Sequence, residues 1–301
     1  MFLHNDKERF TSLVEAVSAS TGIKAPLIEK DYYVTLFLKA LTAKEPLLVF
    51  KGGTCLSKCF KLVERFSEDI DINLEGAGNL THKRRKMLKQ NIVDVIGDIG
   101  LELTNPEETR SGRDYNLYEV SYPILFESEA LKQHLEVETY FLIDSFPNVK
   151  MPASSLIYDH LKENRLDDAI AELALEPFDI RVQALERTFV DKIFAICDYH
   201  LNGRTDSQSR HLYDIHKILP HMTLNEEMKG FVEEVRKVRE GKRDCPSAEK
   251  GVSLPEMIER IIAENIYKND YENTTSLLLY EAVSYDEVTG SMQKIADWLK
   301  G

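Results

Sequence analysis

The chain has 301 residues, 43% apolar and 30% charged, a composition that excludes a disordered protein and permits a core without disulfide or metal staples. Its formal charge of −13 excludes a protein that coats nucleic acid nonspecifically, since such binding is driven by phosphate neutralisation, but it leaves room for a local basic surface. Four cysteines, Cys55, Cys59, Cys197 and Cys245, are too sparse for a disulfide framework and read as reduced core residues.

The N-terminus reaches charge by Asp6 and has no apolar h-region, so no signal peptide is expected. No apolar run approaches the ~20 residues of a bilayer span, and the expected location is cytoplasmic, with no membrane partner. Lys7 to Ser20 carry a helical stripe of Phe10, Leu13, Val14 and Val17, ended by Thr21-Gly22. Pro26 opens a second helix, LIEKDYYVTLFLKAL. Leu47 to Phe50 read as a short buried strand, after which Gly52-Gly53-Thr54 opens a short helix with Thr54 as its N-cap. A strand from Asp69 to Leu74 and a basic helix from about Thr81 to Ile99 follow.

Leu101–Thr104, Asn116–Tyr122 and Leu135–Phe141 read as further strands. From Pro152 onward the pattern turns mostly helical, clearest in LERTFVDKIFAICDYHL, with Phe189, Ile193, Ile196 and Cys197 on one face. RHLYDIHKIL, LPEMIERIIAENIYKNDY and YDEVTGSMQKIADWL continue it. The expected organisation is a mixed domain over residues 1–150 and a mostly helical one over 151–301.

In a strand, residues i and i+2 share a face about 6.6 Å apart. Ser67, Asp69 and Asp71 are therefore expected on one face and Ile70 and Ile72 on the other. Two carboxylates at that spacing repel by roughly 2.5 kcal/mol at an effective dielectric near 20. Magnesium, held by a few carboxylates plus substrate phosphates, would relieve that repulsion. A lone DxD is more often a pair of solvated aspartates, and a lone GGT an ordinary turn. Together they form two halves of a nucleotide site: glycines that admit a phosphate to a helix N-terminus, and a metal clamp. HLEVETYF places Glu136 and Glu138 on one strand face and Leu135 and Val137 on the other.

This combination resembles the polymerase-β-like nucleotidyltransferases. Over nearly the whole chain, KDYYVTLFLKAL, FKGGTCLSK, RFSEDIDI, LKQHLEVE, ERTFVDK, SRHLYDI and NDYENTTSLLLYEAVSYDE resemble successive motifs of the AbiEii/AbiGii toxin family of nucleotidyltransferases. The resemblance implies an α+β fold, a mixed sheet flanked by helices followed by a helical domain. It implies Glu138 as the third metal ligand beside Asp69 and Asp71, and places Lys192 and Asp214 in the active site. The family's tryptophan and glutamate before that lysine are replaced here by Val190 and Asp191.

The implied reaction is magnesium-dependent transfer of NMP from a nucleoside triphosphate, with release of pyrophosphate. Gly52, Gly53, Thr54 or Ser67 would bind phosphates, and Lys192 with Arg210 would neutralise them. The implied setting is the toxin of a type IV toxin–antitoxin or phage-defence pair, with a cognate antitoxin. RNA, including the 3′ end of tRNA, is the expected acceptor, met by the helix carrying Lys83, Arg84, Arg85 and Lys86. Transfer to a protein hydroxyl, and a nucleotide-binding protein without turnover, are the alternatives. Lys30 and Asp31 read either as ordering the glycine turn or as a surface pair, and His211 and His216 as packing or hydrogen-bonding residues.

Overall fold

In the computed structural model, which describes residues 2–65, 67, 69–129 and 131–301, the chain divides into two units. Residues 1–60 and 67–182 form the first; residues 61–66 and 183–301 form the second. The first unit begins with helices α1 (Lys7–Thr21) and α2 (Ala25–Lys44). Asp6 caps α1 by accepting from the Arg9 amide, and Gly22 ends it in the left-handed conformation. After them come β1 (Leu48–Lys51), α3 (Gly52–Lys58), β2 (Asp69–Leu74), α4 (His82–Asp98), β3 (Glu102–Leu103), β4 (Tyr115–Ser121) and β5 (His134–Tyr140).

Two strands that the sequence pattern did not separate from the helical region complete the sheet: β6 (Asn148–Ala153) and, after α5 (Leu156–Glu163) and α6 (Asp167–Glu172), β7 (Phe178–Gln183). Alternating burial of Ile180 and Val182 marks β7 as half-buried, but β6 is buried only at its last residue and contains Pro152, as an edge strand permits. The units consequently divide at Val182, beyond the boundary expected near residue 150.

The seven strands run in the order β3-β4-β5-β2-β1-β7-β6. The sheet is mixed: β2 is antiparallel to β1 and parallel to β5, β4 is antiparallel to both β5 and β3, and β1 is parallel to β7. One face is apolar. Phe50, Ile70, Ile72, Leu135, Val137, Tyr118 and Val120 are buried there, in a core shared with Phe37 and Leu38 of α2 and Leu88 and Ile92 of α4. The α+β architecture expected from the sequence is the one observed.

The second unit contains α7 (Leu185–Leu201), α8 (Arg210–Ile218), α9 (Glu226–Arg239), α10 (Leu254–Ala263), α11 (Lys268–Asn273) and α12 (Tyr285–Lys300). Helix α12 starts on a full capping box between Ser284 and Glu287. Residues 61–66 join this unit through an isolated bridge from Arg65 to Leu279 and a hydrogen bond from the Tyr280 amide to the Glu64 carbonyl. All four cysteines are buried and free, as expected. Among the described residues no helix is long and apolar enough to cross a membrane.

Candidate active site

Strand pairing brings the acids of the first unit together. In the β2–β5 ladder Asp69 is opposite Glu136 and Asp71 opposite Glu138, so four carboxylates occupy one patch of the sheet's polar face. The register is enforced from behind, since Ile70 pairs with Val137 on the apolar side and a slip of one residue would bury the acids. Lys51 of β1 is opposite Asp71, and its ammonium lies 5.6 Å from the centre of the Tyr140 ring. Lys51 was not singled out from the sequence, because its position depends on the β1–β2 register.

The two glutamates differ. Glu136 is buried and accepts from Lys132 at 2.6 Å, with His134 Nε2 at 3.4 Å. Burial pushes its carboxyl up, but the Lys132 hydrogen bond and one shared with Asp69 outweigh this and leave it below the usual range. Glu138 is pushed up to about 7, by burial first and then by the charges of Asp71 and Asp69, against a hydrogen bond from the Tyr115 hydroxyl. Burial and Glu138 together push Tyr115 up as well. Tyr115, like Lys51, was invisible before the strands were paired.

The glycine turn fits against these acids. Gly52 has φ +78°, and a Cβ added to it would lie 1.9 Å from Asp71 Oδ2, so any other residue would be strained in its backbone and would force the Asp71 side chain to shift. The helix it opens has Lys51 as its N-cap, and no side chain caps it. The expected N-cap, Thr54, instead stands inside the helix because the helix begins two residues earlier, and its hydroxyl donates to the Asp69 carbonyl at 2.6 Å. That bond ties the glycine-turn helix to the first residue of the acidic strand. Ser67 precedes β2, so the ladder that orients Asp69 and Asp71 does not include it; its neighbours Phe66 and Glu68 lie outside the described residues.

Asp31 proves to be an organiser of this region. It accepts from Lys58 at the end of α3 at 2.5 Å and from the Leu156 amide at 2.7 Å. Lys30 is buried and donates to the Lys132 carbonyl at 3.0 Å, so neither residue is a surface pair. On α4, Arg84 is engaged by Glu45 at 2.5 Å and Arg85 by Asp114 at 2.7 Å, while Lys83 and Lys86 are exposed. The basic helix thus presents half of the charge its sequence suggests.

The second unit holds a separate cluster. Asp214 of α8 is fully buried and accepts from Arg65 Nε at 2.6 Å, from Arg65 Nη2 at 2.7 Å and from Lys192 Nζ of α7 at 2.6 Å. Burial alone would raise the Asp214 carboxyl, but the two cations hold it well below the ordinary carboxylate range. Lys192 is lowered by its own burial, partly restored by Asp214 and lowered again by Arg65 and Arg210. His211 stacks on Tyr199 and turns Nδ1 toward Lys192 Nζ at 3.4 Å. Burial and the neighbouring cations push His211 well below its usual value. His216 donates to or accepts from Ser291 at 2.8 Å, the hydrogen-bonding role expected of it.

Asp191 accepts from Gln183, Arg187 and Arg239, and so fastens α7 to α9. Arg65 was not among the expected site residues. Its signal is the arginine that opens RFSEDIDI, but pairing with a residue 149 positions away is not legible from a single chain.

Among the described residues, no three or more His, Cys, Asp or Glu side chains are grouped closely enough to hold a metal ion by themselves. Magnesium is ordinarily held more openly, by one or two carboxylates with waters and substrate phosphates. The donor set here, hard oxygens repelling one another on a fixed ladder, suits such a cation. A family model described as nucleotidyl transferase AbiEii toxin, type IV TA system, matches residues 36–290 of the chain. Comparison with curated proteins gave no match.

Proposed function

The chain belongs to the AbiEii family of nucleotidyl transferase toxins of type IV toxin–antitoxin systems, and from that premise we propose that it transfers a nucleoside monophosphate from a nucleoside triphosphate to an RNA acceptor, with tRNA 3′ ends foremost, and that a cognate antitoxin opposes it. The observation that carries the reading is the ladder of Asp69, Asp71 and Glu138, with Gly52 packed against the Asp71 carboxylate.

Asp69, Asp71 and Glu138 are the residues to hold magnesium, which when bound supplies charge neutralisation at the α-phosphate and lowers the cost of forming an oxygen nucleophile. Glu136, already engaged by Lys132, is the less available acid. Glu138 would also help to deprotonate the acceptor hydroxyl. The hydroxyl oxygen bonds to the α-phosphorus, the bond from that phosphorus to the bridging oxygen breaks, and pyrophosphate leaves. Backbone N–H groups at Gly52, Gly53 and Thr54, at the start of α3, would take phosphate oxygens. Thr54 also spaces the acidic strand through its bond to Asp69. In the second unit, Lys192 with Arg210 serves as a receptor for phosphate oxygens and Asp214 orients the lysine. Lys83 and Lys86 are the exposed cations of α4 available to an RNA backbone.

The test is incubation with each α-labelled nucleoside triphosphate, magnesium, and total RNA or protein. Nuclease-sensitive label that Asp71→Ala reduces on the order of 10³-fold is expected. Undiminished transfer by Asp71→Ala would overturn the assignment of the acids, and protease-sensitive label would move the acceptor to a protein hydroxyl.

A further inference from the structure

Asp214 has two oxygens and two cationic partners, and the division between them is unequal. Arg65 engages both oxygens, through Nε at 2.6 Å and Nη2 at 2.7 Å, whereas Lys192 reaches Oδ2 alone at 2.6 Å. A guanidinium fork is the better matched partner for a carboxylate, and an ammonium is a point charge that shares what is left. Arg65 and Asp214 are also the more deeply buried, with side-chain exposures of 2% and 0% against 7% for Lys192. An ammonium has three donors and no acceptor. Asp214 takes one Lys192 N–H and His211 Nδ1 faces a second, so a third remains among the described residues.

We propose that Arg65 is a positioning residue: by occupying one oxygen of Asp214 and competing for the other, it keeps Lys192 incompletely neutralised, so that its charge and third N–H are directed to a phosphate oxygen of the substrate. This rests on the reading of Lys192 as a phosphate receptor. It adds that the linker between α3 and β2 supplies the group that tunes the receptor.

The groups that act on Lys192 are Asp214, Arg65 and Arg210, with His211 as neighbour. Arg239, from α9, is engaged by Asp191 and Asp198 instead. Lys192 is held below its ordinary value of 10.5, first by burial, and Arg65 contributes to that lowering. It therefore releases its proton, and with it its hold on an anion, as pH rises through a midpoint below the ordinary lysine range. Without Arg65, Lys192 gains both oxygens of Asp214 and loses a repelling cation, so the midpoint moves up while the charge is more fully spent.

The experiment is calorimetric binding of inorganic tripolyphosphate to the full chain, from neutral pH into the lysine range, for wild type, Arg65→Gln and Arg65→Lys. Wild type is expected to bind and to lose affinity on the alkaline side. Arg65→Gln is expected to bind about tenfold more weakly at neutral pH, with its alkaline limb displaced upward by about one pH unit. Arg65→Lys keeps the charge without the fork, so its affinity should fall while its limb stays nearer wild type.

In Arg65→Gln a purely structural role would weaken binding with the limb unmoved, and that result, or a wild type that binds no tripolyphosphate at any pH, overturns the proposal. Should Arg65→Gln fail to fold, Arg65→Lys decides: its limb should still move upward by a part of that unit, and wild-type affinity or an unmoved limb there is equally fatal. Labelled-nucleotide transfer lost in Asp71→Ala beside an unmoved limb leaves nucleotidyl transfer standing and removes this inference. A moved limb without transfer does the reverse.

Discussion

On the sheet face of the first unit, backbone pairing holds Asp69, Asp71, Glu136 and Glu138 together, and the electrostatic result is a Glu138 carboxyl pushed up to about 7. In the second unit a single carboxylate, Asp214, is gripped by Arg65 and Lys192 and pushed the other way, well below its ordinary range. In the first cluster the fold restrains charges that would separate if free. In the second the charges themselves are part of what holds the fold, because removing one partner of a buried pair strands the others. Substitutions at the acidic ladder should therefore cost chemistry and spare stability, and substitutions at Asp214 should do both.

The widest separation of the two comes from Asp71→Ala, which should lose transfer on the order of 10³-fold and unfold at or above the wild-type temperature. It should also bring Glu138 down, since Asp71 has the largest effect of the three charges that raise it, ahead of Asp69 and Glu136. A variant that lost activity by unfolding would erase the contrast. Next is Asp214→Asn, which leaves Arg65 and Lys192 buried without their shared carboxylate and is expected to cost about 3–5 kcal/mol in denaturant unfolding. A loss below about 1 kcal/mol would show that the cluster is not structural.

Gly52→Ala tests whether the turn and the ladder are one device. The left-handed φ costs roughly 1–2 kcal/mol for a non-glycine residue, and the added Cβ would meet Asp71 Oδ2 at 1.9 Å. The Asp71 carboxylate must move, so about 10²-fold of transfer activity should go with it. Activity retained in a folded Gly52→Ala would mean that the position of Asp71 is not critical.

The legibility of these features follows the range of the forces that set them. Asp69–Leu74 was readable to the residue because its alternation is local, whereas a third acid from a later strand came only from the family resemblance, and the pairing of β2 with β5 is seen only in the structure. Thr54 was misplaced as a cap because helix α3 starts on Gly52, whose positive φ lets the chain turn before any capping side chain is needed. Strands β6 and β7 were lost for different reasons: one is an exposed edge with Pro152, and the other follows two helices in a stretch whose pattern reads as helical. Lys51, Tyr115 and Arg65 join their clusters through register or through contacts distant in the chain, and no local pattern encodes those.

The smallest expected effect sharpens the comparison through pH. Glu138 is an acid raised from 4.5 to about 7, so the native state keeps a proton that the unfolded chain has released. Its contribution to stability is complete below 4.5 and is lost as pH rises through about 7. The full shift corresponds to at most about 3 kcal/mol, and screening at a partly open sheet face reduces this to about 2 kcal/mol.

His4, His211 and His216, all held below their ordinary value by burial, give the opposite slope in the same window. The quantity to measure is therefore the difference between wild type and Glu138→Gln in denaturant unfolding, at about pH 5 and about pH 7.5. Relative to the variant, wild type should lose stability between the two. Magnesium should restore it at the higher pH, where the carboxylate is ionised and a ligand of the native state alone stabilises most. Asp214 titrates below this window and should leave the difference untouched. A flat difference, insensitive to magnesium, would mean that the four acids are solvated independently, and the contrast between the clusters would reduce to one of burial.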